Sequence, residues 1–121
     1  KSDNPSVVNI SSIAGIKGIG SSMAYASSKG ALNTMTKSMA RNLGPIRVNA
    51  VCPGFIQGDW LKKGLGDDIY NASLKNIENS TPLGLAVTPE QVADVIYNFI
   101  DISKTVTGET YLVDGGYHLT I

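Results

Sequence analysis

The sequence has one cysteine, one histidine and one tryptophan among its 121 residues. A lone thiol, Cys52, excludes an internal disulfide and fits a reducing compartment, so a cytoplasmic location is expected. Cys52 sits inside an apolar run and reads as a small buried side chain. The one histidine, His118, is remote from it in sequence and reads as a surface or subunit-interface residue. No group of Cys, His and carboxylates has metal-ligand spacing, so no metal is expected. Charge of one sign is also lacking, because Lys+Arg and Asp+Glu both number 10. That removes the electrostatic reason to expect nucleic acid or an anionic membrane as a partner. No apolar stretch approaches the roughly 18 residues of a membrane-spanning helix. A G-x-G-x-x-G phosphate loop is missing too: Gly15-Ile16-Lys17-Gly18-Ile19-Gly20 has glycines at other intervals.

What is present is an alternation of strand and helix signals. Ser6 to Ser11 is rich in β-branched residues and predicts a short, mostly buried strand. Ser12 to Gly20 holds three glycines and reads as a loop. Ser21 and Ser22 can cap a helix running to about Leu43, with Ala24, Ala31, Leu32, Met35, Met39, Ala40 and Leu43 as its apolar face. Gly44-Pro45 stops it. Ile46 to Val51 predicts a second strand, closed by the Pro53-Gly54 turn. Phe55 to Thr81 reads as irregular or weakly helical. Thr88-Pro89-Glu90-Gln91 has the form of a capping box with Pro in the first turn. Gly108 to Val113 predicts a third strand, ending at Asp114-Gly115-Gly116.

Helical crossovers between short apolar strands imply parallel pairing with right-handed connections. The expected fold class is therefore α/β, as half of a doubly wound parallel sheet. Three such strands leave an apolar sheet edge, so a companion segment is expected to complete the sheet. The polar start without an initiator Met, followed at once by a strand, fits that expectation.

One pair of side chains carries chemistry. Tyr25 and Lys29 lie four residues apart on a helix and share a face. A free phenol titrates near ~10 and is a poor base at neutral pH. An ammonium fixed beside it favours the phenolate, making a proton donor and acceptor for alcohol/carbonyl interconversion. Ser11 and Ser12, at a strand end, are hydroxyls that can hold a substrate oxygen. Tyr–Lys pairs at this spacing also arise by chance on many helices, so the pair alone is a weak signal.

The joint pattern is specific. Asn9-Ile10-Ser11-Ser12 followed by Tyr25-Ala26-Ser27-Ser28-Lys29 resembles the active-site signature of the short-chain dehydrogenase/reductase family. Ser12 precedes Tyr25 by 13 residues, the family's interval, which selects it over Ser11. Arg47 to Gly54, Thr107-Gly108-Glu109 and Val113 to Gly116 resemble further motifs of the family in the right order. The likeness covers essentially the whole chain and corresponds to the family's C-terminal half of a Rossmann fold, with its closest flavour in 3-oxoacyl-carrier-protein reductases.

The resemblance implies the following roles. Tyr25 is general acid in reduction and base in oxidation. Lys29 favours its ionised form and holds the nicotinamide ribose, and Ser12 polarises the substrate oxygen. Pro53, Gly54 and Ile56 face the nicotinamide of NAD or NADP. Residues 55–80 form a substrate lid, in which Trp60, Leu61 and Tyr70 line an apolar pocket. Where the family often has Thr, this chain has Gly58. The Ala-rich helix implies a homodimer or homotetramer. The missing N-terminal half would supply the phosphate loop. A non-catalytic Rossmann scaffold is the rival reading, and an epimerase-type relative a third.

Overall fold

The computed structural model describes residues 2–121. The elements run β1 (Ser6–Ile10), α1 (Ala14–Lys17), α2 (Met23–Asn42), β2 (Arg47–Pro53), α3 (Asp59–Leu65), α4 (Asp67–Ser80), α5 (Pro89–Tyr97) and β3 (Thr110–Val113). A wider π-type turn, Asn98–Ile102, continues α5, and a 3-10 turn, Tyr117–Leu119, follows β3. The strands form one sheet in the order β1-β2-β3. Both pairings are parallel, with Val8 opposite Asn49 and Val51 opposite Tyr111. The expected parallel α/β sheet is therefore present.

Alternation along β2 assigns its two faces. Val51 faces α5 and joins Val87, Val92 and Phe99 in the main core, with Val8, Ile56, Leu85 and Val95 packed around them. Cys52 faces α2, where its Sγ donates to Asn33 Oδ1 at 3.6 Å. All seven residues of β2 are buried, Arg47 and Asn49 included. Both are paired, as buried polar groups must be. Arg47 donates from Nη1 to Phe99 O (2.5 Å) and Ser103 O (2.9 Å), and from Nη2 to Ile100 O (3.0 Å). It thereby satisfies the orphan carbonyls at the end of the α5 segment. Asn49 clasps the approach to β3, donating to Val106 O and accepting from Glu109 N.

Several sequence expectations need correction. The 12–20 loop contains a one-turn helix, α1, closed by Gly18 in the left-handed region (φ 69°). The apolar face assigned to α2 coincides only in part with its buried face: Leu32, Met39 and Ala40 are half-buried, but Ala24, Ala31, Met35 and Leu43 are exposed. The sheet-facing stripe runs instead through Ala26, Lys29, Gly30, Asn33, Thr36 and Ala40. It is small and polar because the sheet offers Asn9 and Cys52 as partners: Asn9 Nδ2 donates to Thr36 Oγ1 at 3.0 Å. The 55–81 stretch is two helices, α3 and α4, separated by Gly66. The second strand extends through Pro53, and the third begins at Thr110.

The start of α5 follows the sequence closely. Thr88 Oγ1 accepts from Gln91 N while Gln91 Oε1 accepts from Thr88 N, and Pro89 occupies the first turn. Among the described residues, no helix is long and apolar enough to cross a membrane.

Candidate active site

The site forms where β1 ends. Parallel strands present their carboxyl ends to one rim of the sheet, and the turns leaving them gather the side chains of loops and helix starts there. β1 gives way to Ser11 and Ser12, both buried. Ser12 Oγ accepts from Ala14 N at 3.1 Å, which holds its hydroxyl against the first turn of α1. Ser22 caps α2 by accepting from Tyr25 N at 3.0 Å. That cap places Tyr25 in the first turn of the helix and Lys29 one turn further.

Lys29 crosses back to β1. Its Nζ donates to Ile10 O at 2.9 Å and stands 5.7 Å from the centroid of the Tyr25 ring. An ammonium has three donors, so one is committed to the strand end and two remain for a ligand. The same helical turn is tied a second time, because Ser11 Oγ donates to Lys29 O at 3.2 Å. Tyr25 is 38% exposed, open enough to meet a ligand from the rim. Its ring lies against Gly20, where an added Cβ would stand 3.3 Å from Cδ1.

The end of β2 contributes backbone. Gly54 N donates to Val113 O at 3.1 Å, and a Cβ on Gly54 would approach Asp114 Cβ to 2.9 Å. The Pro53-Gly54 turn is thus closely seated on the end of β3. Ile56 pairs with Val87 as a parallel bridge, in which Gln57 N donates to Val87 O at 2.8 Å. The bridge bonds pass through the neighbours of Ile56 and leave its own peptide turned away from the ladder.

The structure treats the remaining candidates differently. Trp60 lies on α3 and is 86% exposed. Tyr70 is buried, stacks obliquely on Phe55 at 5.8 Å and accepts from Gly58 N through its Oη at 3.1 Å. It anchors α4 to the Pro-Gly turn. Gly58 has φ +148°, a conformation that side chains rarely adopt, which accounts for glycine there. Gln57 commits its amide to Ala86 O at 2.8 Å. His118 is partly buried, and its Nδ1 lies 2.8 Å from Asp114 Oδ2. Cys52 has no exposed surface, and burial pushes its thiol up from the ordinary value, which leaves it a packing residue. Among the described residues no group of side chains could hold a metal ion.

Ser11, Gly15 and Asp114 make contacts here that their sequence signals do not indicate. Ser11 lost to Ser12 on spacing, yet it ties the strand to Lys29. Asp114, in the exit of β3, accepts from Gly116 N (3.0 Å) and His118 N (2.8 Å). An Asp followed by two glycines, with a histidine four residues on, is the signal that could have found it.

Known proteins resemble the chain along nearly its whole length. A family profile described as enoyl-(acyl carrier protein) reductase matches residues 1–118. A 3-oxoacyl-[acyl-carrier-protein] reductase of Thermotoga maritima is 42% identical over 119 residues, covering 96% of this chain and 46% of the relative. A short-chain dehydrogenase/reductase homolog of Bacillus subtilis, YusR, is 38% identical over 120 residues, covering 98% of this chain and 88% of the relative. A crystal structure of a small-chain dehydrogenase in complex with NADPH superposes with a TM-score of 0.88 at 28% identity, covering 98% of this chain and 53% of that one. The chain spans about half the length of the acyl-carrier-protein reductases it matches. On its sheet topology and on these matches, the chain belongs to the short-chain dehydrogenase/reductase family.

Proposed function

We propose that this chain is the catalytic half of an NAD(P)-dependent oxidoreductase acting on an alcohol or carbonyl substrate. The observation that carries the reading is the placement of Lys29. Its ammonium is fixed by Ile10 O at 2.9 Å and held near the Tyr25 ring, beside the turn that presents Ser12. An ammonium fixed there keeps two donors for a ligand next to a phenol that can donate or accept a proton.

The residues fit a nicotinamide cofactor. Two free donors on Lys29 suit ribose hydroxyls, and the turned-away Ile56 peptide suits a carboxamide beside the apolar edge of Pro53. The NADPH complex of a structurally similar dehydrogenase supports the same assignment. When bound, the cofactor supplies or accepts the hydride. The rest falls to this chain. Ser12 Oγ donates to the substrate oxygen and polarises the carbonyl. Tyr25 Oη gives that oxygen its proton as the carbonyl becomes an alcohol, and takes it back in oxidation. Lys29, fixed by Ile10 O, would hold the ribose beside Tyr25.

The reading extends to assembly. The phosphate grip comes from a companion N-terminal half that adds its strands at the free edge of β1. Residues 55–80 form the substrate lid, with exposed Trp60 closing on substrate. The outer face of α2, with Met23 and Met35 exposed, packs against another copy in a homodimer or homotetramer.

Tyr25→Phe tests the chemistry, made in this chain combined with its companion half. The expected result is a loss of at least about 10²-fold in kcat, the scale of a general acid–base contribution. NADPH binding, followed by fluorescence, should persist. Wild-type turnover in Tyr25→Phe would overturn the catalytic assignment, and absence of cofactor binding in the combined wild-type protein would favour the scaffold reading.

A further inference from the structure

We propose that Gly15 is a positioning residue, whose missing side chain sets the distance between Ser12 and the helix bearing Tyr25 and Lys29. The proposal rests on the catalytic reading of those three residues. A Cβ built on Gly15 would stand 2.5 Å from Lys29 C, 2.6 Å from Gly30 N and 2.8 Å from Lys29 O. These are backbone atoms in the middle of α2, so no rotamer change relieves the overlap. Gly15 is not one of the glycines with positive φ. Its backbone therefore does not require glycine; its clearance does.

The contact is made at the peptide that matters. Lys29 C=O, against which Gly15 lies, is the acceptor for Ser11 Oγ at 3.2 Å. On the other side of the joint, Ser12 and Gly15 form one rigid turn. Gly15 N donates to Ser12 O at 3.1 Å, and Ala14 N donates to Ser12 Oγ at 3.1 Å. Moving Gly15 off the Lys29 peptide therefore carries the Ser12 hydroxyl with it. Restoring ordinary contact from 2.5 Å takes a displacement of about 1 Å. A misplacement of that size costs on the order of 10²-fold in rate when reacting groups must stay aligned.

Gly30 provides the control. A Cβ there would meet Gly15 O at 3.5 Å, an ordinary contact, so the requirement is one-sided. Only Gly15 is obligatory, although the two glycines face each other.

The test uses this chain combined with its companion half, assayed with NADPH and a carbonyl substrate. Gly15→Ala should lower kcat about 10²-fold while its stoichiometry and affinity for NADPH stay at the wild-type level. A merely structural defect would lower cofactor-binding stoichiometry in proportion. Gly30→Ala should keep kcat within about twofold, because its Cβ meets no overlap. Ser11→Ala removes the tie to Lys29 O without adding an atom and should lower kcat by about fivefold, again with cofactor binding intact. If Gly15→Ala fails to fold by circular dichroism, Ser11→Ala decides. The proposal is overturned by a folded Gly15→Ala of wild-type kcat, or, where that variant does not fold, by a wild-type kcat in Ser11→Ala. It is equally overturned if Gly30→Ala loses as much kcat as Gly15→Ala. Retained turnover in Tyr25→Phe would remove the underlying reading instead, so the two failures are separable.

Discussion

Cys52 shows how burial settles the role of a single residue. Its thiol has no accessible surface, and its Sγ donates to Asn33 Oδ1 across the interface between β2 and α2. Desolvation is the largest influence on it and raises its pKa; Ser11, Ser12 and the charge of Lys29 oppose that with smaller effects. The sign for stability follows from proton counting. In alkaline solution the unfolded thiol ionises at its ordinary value, about 8.5, while the folded thiol keeps its proton. The unfolded state then binds fewer protons, so Cys52 contributes a loss of stability as pH rises past that value. Urea denaturation of wild type and Cys52→Ala between pH 7 and 10 should show a steeper alkaline fall in wild type. Parallel curves would refute it. Cys52 was legible as buried from its apolar neighbours. Gly15 was not legible, because close approach of two segments distant in sequence leaves no periodic trace.

At the scale of elements, the ends of helices were easier to read than their faces. The capping box of α5 is a local hydrogen-bond pattern, and Thr88 and Gln91 make both of its bonds. Thr88→Ala leaves Gln91 N without its partner and should cost about 1 kcal/mol. In a chain of this size that lowers the melting temperature by about 3–6 °C, measurable by circular dichroism, with Thr88→Ser restoring most of it. An unchanged melting point in Thr88→Ala would show the cap to be replaceable by water. The face of α2 misled because its buried stripe includes Lys29, Asn33 and Thr36, which an apolar pattern skips. Those residues are polar because they meet Ile10 O, Cys52 Sγ and Asn9 Nδ2. The 55–81 region misled for the opposite reason. Gly58 and Gly66 interrupt it, and only Tyr70 and Ile77 of its two helices are buried, so little hydrophobic period marks it.

The whole molecule joins the corner that holds Ser12, Tyr25 and Lys29 to a sheet of three described strands. β2 is paired on both sides, and β3 and β1 each have one free edge. Ile10, at the end of β1, is 48% exposed although its carbonyl holds Lys29. A sheet of parallel strands ordinarily buries such an edge. YusR, matched over 88% of its own length, shows that a chain of nearly this extent recurs in the family. Cofactor affinity separates the two parts of the site. On the proposed function, Lys29, Pro53 and Ile56 would meet a nicotinamide and its ribose. The phosphates of a dinucleotide are held elsewhere, by a Gly-rich turn at a helix N-terminus. The glycines from Gly15 to Gly20 do not form that turn: Gly15 is packed on α2, and Gly18 closes α1. NADPH titrated into these 121 residues alone should therefore give no saturable change in its fluorescence up to about 1 mM, a concentration that reveals only binding stronger than about −4 kcal/mol. A saturable change that Lys29→Ala abolishes would show that the corner around Lys29 grips the cofactor without a phosphate loop, and the proposed companion half would then be needed for alignment and not for binding.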